Sequence, residues 1–338
     1  MAFAPKLDPA FEGQCRRIAA WSIALERAAG FSADRKDEVL DLAEALDAHF
    51  GWEPFSDADD KPDQFTEIAL ACLEVATTGD LDRAIQNLPV FPLAAQRALG
   101  IILGDDWSAG DLESVAGTDQ ALAAHLLRAA NSWTHSPRQP IVTIQHAITY
   151  IGAERACRIL YAAAVKPLFG SPRLRDVWHH SLAAAEVAES LAEFCHPVDR
   201  KKAFLAGLIH DIGGLAMTGL PPKFQALFEH LTASGCEPIL AERAISGFSH
   251  AQAGARALRL WNFAPELSEA VEFHHAPEKS DGQLASLLYL TEQWTDSSED
   301  APSAARFRFA LDRLGLTEEQ FEQLSIPMDR TVTGLHFD

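Results

Sequence analysis

Histidine and aspartate recur in the second half of the chain at positions where their side chains could meet. In chain order these residues are His180, the doublet His210-Asp211, His250 and the pair His274-His275. Imidazole nitrogen and carboxylate oxygen together bind borderline divalent ions, and the carboxylate favours Fe or Mn over Zn. Such ions can assist attack on a phosphoester. For any one histidine taken singly, a hydrogen-bonded core residue is the commoner explanation, but the set is harder to explain by packing.

Helical periodicity places these histidines on the apolar faces of their predicted helices. His180 shares a predicted apolar face with Ala184 and Val187, and His210 ends the apolar helix of FLAGLIHDIGG (204–214). His250 precedes Gly254 and Leu258, and His274 follows Leu267 and Val271, at the same helical spacing. A helical bundle can gather such side chains from facing helices into one metal site.

The remaining sequence also has helical spacing, and only residues 141–144 (IVTI) resemble a short strand. Ser108 stands three residues before Asp111, which is typical of a capped helix start. We therefore predict an all-α protein. The Ala-rich segment 17–46 has the same rhythm as 181–211, either by chance or as a degenerate partial duplication without ligands.

Charge and composition exclude several function classes. The 338 residues carry a formal net charge of -20, which argues against binding to nucleic acids or to anionic membranes. The charge is uneven, because residues 1–85 hold -10 and residues 86–295 only -5. Five scattered cysteines without a C-x-x-C indicate reduced thiols. With no apolar leader and no apolar run of about 18 residues, we expect a cytoplasmic protein.

Four stretches together resemble the HDOD family, the output-domain relatives of the HD metal-dependent phosphohydrolases. They are LAAHLLRAANSWTHSPRQPIVTIQHAITYIG (122–152), VWHHSL (177–182), FLAGLIHDIGGLAM (204–217) and ERAISGFSHAQAGARALRLWNFAPELSEAVEFHH (242–275). The resemblance covers about residues 86–295 and implies a helical subdomain (86–170) followed by an HD-like bundle (171–295). An acidic helical region (1–85) and a helical tail (296–338) flank it.

The resemblance implies a ligand set for one divalent ion or two. The first histidine corresponds to His180 and the doublet to His210-Asp211, with Asp211 bridging the ions if there are two. His250, His274 and His275 correspond to the additional histidines, Asp176 weakly to an upstream acidic ligand, and Glu292 stands where the superfamily has a final aspartate. If the protein is an enzyme, Asp211 is the residue expected to carry catalysis.

Two departures from the pattern bear on activity. Hydrolases of cyclic-di-GMP have lysine after His-Asp-Ile-Gly, where this chain has Gly214, and they have a Gly-Tyr-Pro loop that HHAPEKSDGQL (274–284) lacks. The resemblance therefore implies a regulator of the bacterial type that acts on a signalling partner protein and keeps a metal site. The alternatives are a metal-dependent phosphohydrolase acting on a nucleotide or another phosphoester, and a metal-free scaffold.

Overall fold

Helices account for the regular structure, as the sequence predicts. The computed structural model describes residues 81–102, 104, 107–132, 137–195, 198–219, 228–229, 232, 238–295 and 304–324, and within these ranges it contains no strand. None of the helices in this part of the chain combines the length and the apolar character needed to cross a bilayer. The expectations for residues 1–80, including the segment 17–46, lie outside the described residues.

The helices are numbered here in chain order. They are α1 (Leu81–Gln86), α2 (Leu93–Ile102), α3 (Ala109–Gly117), α4 (Gln120–Ser132), α5 (Ile144–Ile151), α6 (Ala153–Val165), α7 (Arg175–Ala192), α8 (Arg200–Ile209), α9 (Gly214–Met217), α10 (Pro238–Ser246), α11 (His250–Leu260), α12 (Pro265–Phe273), α13 (Gln283–Thr295), α14 (Ala304–Leu314) and α15 (Glu318–Glu322). Short 3-10 turns stand at Lys166–Phe169, Pro172–Leu174 and Pro277–Lys279.

The chain divides into two compact units. One unit combines residues 1–87 with 219–250, and of its helices the structure describes α1 and α10. The other combines residues 88–218 with 251–338 and holds the continuous apolar core. The predicted domain boundaries at residues 85, 170 and 295 stay predictions.

Local sequence explains where several helices of the second unit begin. Ser108 donates its backbone N–H and its hydroxyl to the Asp111 carboxylate, at 2.8 and 2.7 Å, as the capping pattern predicts. The Thr143 hydroxyl accepts the N–H of His146 at the start of α5. Asp199 accepts the N–H groups of Lys201 and Lys202 at the start of α8. These side chains satisfy donors that the first helical turn leaves unpaired.

The helices α7 and α8 form a closely packed pair, and Gly207 permits the close approach. A Cβ atom at Gly207 would lie 2.6 Å from the Ala184 carbonyl oxygen and 2.8 Å from the Ala185 Cα. The predicted inner face of α7 is buried, including Ala184 and Val187. Helix α13 packs against both helices. The pair therefore brings the end of α8 close to the first half of α7, with α13 beside them.

Candidate metal centre

Three side chains from three helices form a tight triangle in the second unit. His180 lies on α7, His210 is the residue that ends α8, and Glu292 lies on α13. The two Nε2 atoms are 3.2 Å apart, and the Glu292 Oε1 lies 2.9 Å from each of them. Glu292, which the resemblance matched to a shorter final aspartate, thus reaches both rings.

These separations suit donors that share one metal ion. At a metal–ligand bond length of about 2.1 Å, neighbouring donors stand about 3.0 Å apart in octahedral and about 3.4 Å apart in tetrahedral coordination. The three separations of 2.9, 2.9 and 3.2 Å fall within or close to that range. The triangle therefore has the dimensions of one face of a coordination polyhedron.

Asp211 is the fourth residue of the group and connects the triangle to a fifth, His274. Its Oδ2 lies 3.3 Å from the His210 Nε2 and 3.8 Å from the His180 Nε2, and its Oδ1 lies 3.7 Å from the His274 Nε2. His210, Asp211 and His274 thus form a second group of donors that shares His210 with the first group. We call the five residues His180, His210, Asp211, His274 and Glu292 the histidine–carboxylate cluster. Asp211 belongs to the second group, and its Oδ2 also faces the two Nε2 atoms of the first group, so its carboxylate could contact an ion held by either group.

Backbone carbonyls set the orientation of two of the rings. The His210 Nδ1 donates to the Gly207 carbonyl at 2.7 Å, and the His274 Nδ1 donates to the Val271 carbonyl at 2.6 Å. With its proton on Nδ1, a neutral imidazole presents the Nε2 lone pair as an acceptor. Hydrogen bonds of this kind are typical of histidines that bind metals. Both Nε2 atoms are thus held facing the cluster.

The donor side chains of the cluster are largely buried, and their pKa values are shifted. His210 and His274 are buried, whereas the Asp211 side chain keeps 21% of its surface exposed. Burial alone would lower the pKa of His210, but the charges of Asp211 and Glu292 outweigh it and raise that pKa well above its usual value. The pKa of His180 is raised because the hydrogen bond and charge of Glu292 outweigh burial.

The Glu292 carboxyl experiences the opposite effect. Burial would raise its pKa, but the two neighbouring imidazoles hold the pKa of this carboxyl well below its usual range. Glu292 is therefore ionised at neutral pH, and the cluster attracts positive charge. Protons on the rings or a divalent cation can supply that charge.

The other predicted ligands are not members of these two donor groups, although His275 has a ring nitrogen within 4.8 Å of one on His274. The His275 ring packs on the His274 ring with 4.0 Å between the ring centres. Asp176 is exposed in the first turn of α7, and the contacts that join the cluster do not involve it. His250 is the last residue of the other unit, where its Nδ1 and its backbone N–H each lie 2.8 Å from the Glu242 carboxylate.

Sequence reasoning missed two residues that orient predicted ligands. One is Glu242, which holds His250 across the turn between α10 and α11, where helical spacing does not apply. The other is Gly207, which supplies the carbonyl for His210 and the space between α7 and α8. A glycine inside an apolar helix is the sequence feature that could have indicated it.

Comparisons with known proteins bear on the family and the fold. A family model described as HDOD domain matches residues 88–277. An HDOD domain protein of unknown function from Geobacter sulfurreducens shares 20% identity and a TM-score of 0.60, covering 72% of this chain and 92% of that one. A candidate phosphohydrolase from Shewanella amazonensis SB2B shares 24% identity and a TM-score of 0.56, covering 70% and 88%.

A third solved structure has a similar fold. It is a candidate signal transduction protein from Marinobacter aquaeolei VT8, with 22% identity and a TM-score of 0.63, covering 80% of this chain and 65% of that one. No curated protein of significant similarity was found. At these identities, the solved structures establish the shared fold.

Proposed function

The chain belongs to the HDOD family, and we propose that it is a signal-transduction module that acts by protein contact and holds a divalent metal in the histidine–carboxylate cluster. The observation that carries this proposal is the convergence of the five donors on one place, with Gly214 at the position that follows the His-Asp-Ile-Gly sequence. The ligands are thus present, whereas the lysine of the cyclic-di-GMP hydrolases is not.

The surroundings of Gly214 are apolar. A Cβ atom at this position would face the Leu174 and Val177 side chains, 3.6 and 3.9 Å away. The chain therefore provides no ammonium group at this position to neutralise a phosphoester. Because preorganised positive groups supply much of the stabilisation in phosphoryl chemistry, their loss here favours a structural or sensing role for the metal.

The residues of the cluster have distinct parts in holding the ion. His180, His210 and Glu292 would hold one ion, and Asp211 and His274 would complete the site or begin a second. A bound ion of this type supplies a positive charge and Lewis acidity. The Gly207 and Val271 carbonyls keep the protons of their histidines on Nδ1, away from the ion. We favour Fe or Mn over Zn because two carboxylates join the imidazoles.

Metal analysis of the native protein tests the first half of the proposal. The full chain, purified without chelator, should contain stoichiometric Fe or Mn, and the double variant His210→Ala, Asp211→Ala should lose it. His146→Ala is a matched control, because His146 is exposed on α5 and its substitution removes an imidazole outside the cluster. If the wild-type protein binds none of Fe(II), Mn(II) and Zn(II), the histidines serve only as core residues.

Partner capture tests the second half. We expect a protein captured from the native cytosol by the metal-loaded chain to be lost after chelation and in the same double variant. Removal of the acidic residues 1–85 separates docking from metal binding, because it should abolish capture and leave the metal content unchanged. Capture that ignores both the metal and residues 1–85 would contradict this role.

A metal-dependent phosphohydrolase is the second candidate function. The partial exposure of Asp211 favours it, since a phosphoester could approach the cluster from solvent. The test is turnover of a nucleotide panel and of bis(p-nitrophenyl) phosphate by the Mn(II)- or Fe(II)-loaded chain. Turnover that disappears in Asp211→Asn would establish the enzyme, whereas inactivity on every substrate would leave the signalling role.

A further inference from the structure

A cavity of about 310 Å³ lies in the second unit at the far end of the α7–α8 pair. Glu189 near the end of α7 and Phe204 near the start of α8 contribute to its wall, and α6 closes it on another side. Glu189 is nine residues beyond His180, which amounts to about 14 Å along the helix. We call this space the distal cavity. It is separate from the histidine–carboxylate cluster, and its size is at the lower end for small-molecule sites.

One part of the wall is apolar and aromatic. Trp107 and Phe204 contribute rings, and Cys157 contributes a thiol. Burial raises the pKa of this thiol to about 12, so that the sulfur stays protonated and acts as an apolar contact. The Arg158 guanidinium already lies 5.9 Å from the centre of the Phe204 ring, so Trp107 provides the aromatic surface that favours a planar ring as its partner.

The acidic residues of the wall are already neutralised. The Glu189 carboxylate is buried, with Arg158 at 2.6 Å and Arg200 at 3.7 Å. Asp199 caps α8 by accepting two backbone N–H groups. The remaining acid, Glu154, is 75% exposed and 4.0 Å from Arg158. The carboxylates therefore leave little negative charge for a ligand.

A basic group of the wall retains its charge. The Lys201 ammonium lies 5.7 Å from the centre of the Trp107 ring, and no carboxylate of the described residues stands within 4.0 Å of it. Arg200, which lines the same side, pairs with Glu193 at 2.6 Å but is half exposed. Basic side chains in a first helical turn oppose the helix dipole. Arg200 and Lys202 offset this by pairing with Glu193 and Glu266, whereas helix stability does not explain Lys201.

We propose that the distal cavity binds a small planar aromatic anion, a ring that carries one carboxylate or phosphate group. The ring lies against Trp107, and the anionic group contacts the Lys201 ammonium and the half-exposed Arg200 guanidinium. Trp107 selects a flat ring, and the Lys201 ammonium selects an anion over a neutral or cationic compound. Because residues of α6, α7 and α8 line the cavity, such a ligand would lie where these three helices meet.

The test is isothermal titration of the full chain in EDTA with two probes, adenosine 5′-monophosphate and benzoate. Adenosine and benzamide serve as their uncharged counterparts. We expect at least one anion to bind with a Kd below about 1 mM and its uncharged counterpart to bind at least about tenfold more weakly. The probe that binds identifies the source of the charge as phosphate or carboxylate. Since EDTA removes the metal, this result is independent of the proposed function.

Two neighbouring lysines give a matched comparison. Lys201→Gln should weaken binding at least about tenfold, because a charged hydrogen bond is lost. Lys202→Gln removes the same charge from the same helical turn, but Lys202 pairs with Glu266 at 2.7 Å and does not line the cavity, so its effect should stay below twofold. Trp107→Leu should also weaken binding, and thermal unfolding checks that each variant folds.

Three results would overturn the proposal. They are the failure of both anions to bind below about 1 mM, an equal loss in Lys201→Gln and Lys202→Gln, and tight binding of the uncharged counterparts. The second result would mean that the probes respond to the general charge of this helix end. The third would mean that the cavity selects rings without regard to charge.

Discussion

Replacement of Gly207 by alanine should weaken both the fold and the metal site. The added Cβ would lie 2.6 Å from the Ala184 oxygen, 2.8 Å from the Ala184 carbonyl carbon and 2.8 Å from the Ala185 Cα. All three neighbours are backbone atoms of α7, so no side chain can rotate away. Carbon–oxygen contacts rarely fall below about 3.3 Å, so α7 and α8 must separate by about 0.7 Å.

The cost follows from this separation. Overpacking a buried contact destabilises a protein by about 1–3 kcal/mol, and two rigid backbones place Gly207 at the upper end of that range. Alanine is the better helix former and returns about 1 kcal/mol. The free energy of unfolding should therefore fall by about 2 kcal/mol. Urea denaturation should show a lower midpoint at an unchanged slope.

Gly100 on α2 provides the matched control. A Cβ atom there meets no atom within 4 Å, so Gly100→Ala should raise the free energy of unfolding by up to about 1 kcal/mol. The same substitution thus has opposite signs at the two positions. Equal stability of Gly207→Ala and the wild type would refute the account of close packing.

The same variant should affect metal binding. The Gly207 carbonyl accepts a hydrogen bond from the His210 Nδ1. Separation of α7 from α8 would also move the His210 Nε2 away from the His180 Nε2, which lies 3.2 Å from it in the wild type. Loss of such a supporting contact typically weakens metal binding about 10- to 100-fold. Titration with Mn(II) measures this change. An unaltered affinity would mean that the ring position does not depend on the packing of the two helices.

Three further outcomes are expected. In the metal-free protein, the raised pKa values of His180 and His210 stabilise the fold below about pH 6.5, and this stabilisation is lost as the pH rises through their folded pKa values. The lowered pKa of Glu292 stabilises the fold above about pH 4.5, and this stabilisation is lost as the pH falls through its folded pKa. The midpoint temperature of unfolding measured in EDTA should thus fall above neutral pH. The increase that Mn(II) gives to this midpoint should grow as the pH rises, because protons compete with the ion. The same pH dependence with EDTA and with Mn(II) would contradict this. Glu292→Gln should flatten the decline in EDTA and reduce the stabilisation by Mn(II), and an unchanged pH profile would exclude Glu292 from the cluster's charge balance. Gly214→Lys should fold normally, since the Cβ has room, and should raise Mn(II)-dependent hydrolysis of bis(p-nitrophenyl) phosphate by up to about 100-fold. Unchanged turnover in the folded variant would show that the missing ammonium does not limit hydrolysis.

Much of the fold could be predicted because helix patterns are local. The apolar face of α7, the capped start of α3 and the end of α8 at His210 all follow from side chains within a few turns. Glu242 could not be predicted as the partner of His250, because their contact depends on a turn between α10 and α11 and not on helical spacing. The direction of the His250 ring is likewise a property of that turn.

The sequence by itself determined which chemistry is available, namely imidazoles and carboxylates on the inner faces of helices. Only the tertiary structure decided that Glu292 reaches both His180 and His210, since Glu292 is 82 residues beyond His210 in the chain. It also decided which ring nitrogen of His210 faces the cluster, through a carbonyl one turn earlier. Residue types follow from local sequence, whereas donor separations of about 3 Å depend on how closely helices pack, and that depends on atoms distant in the chain.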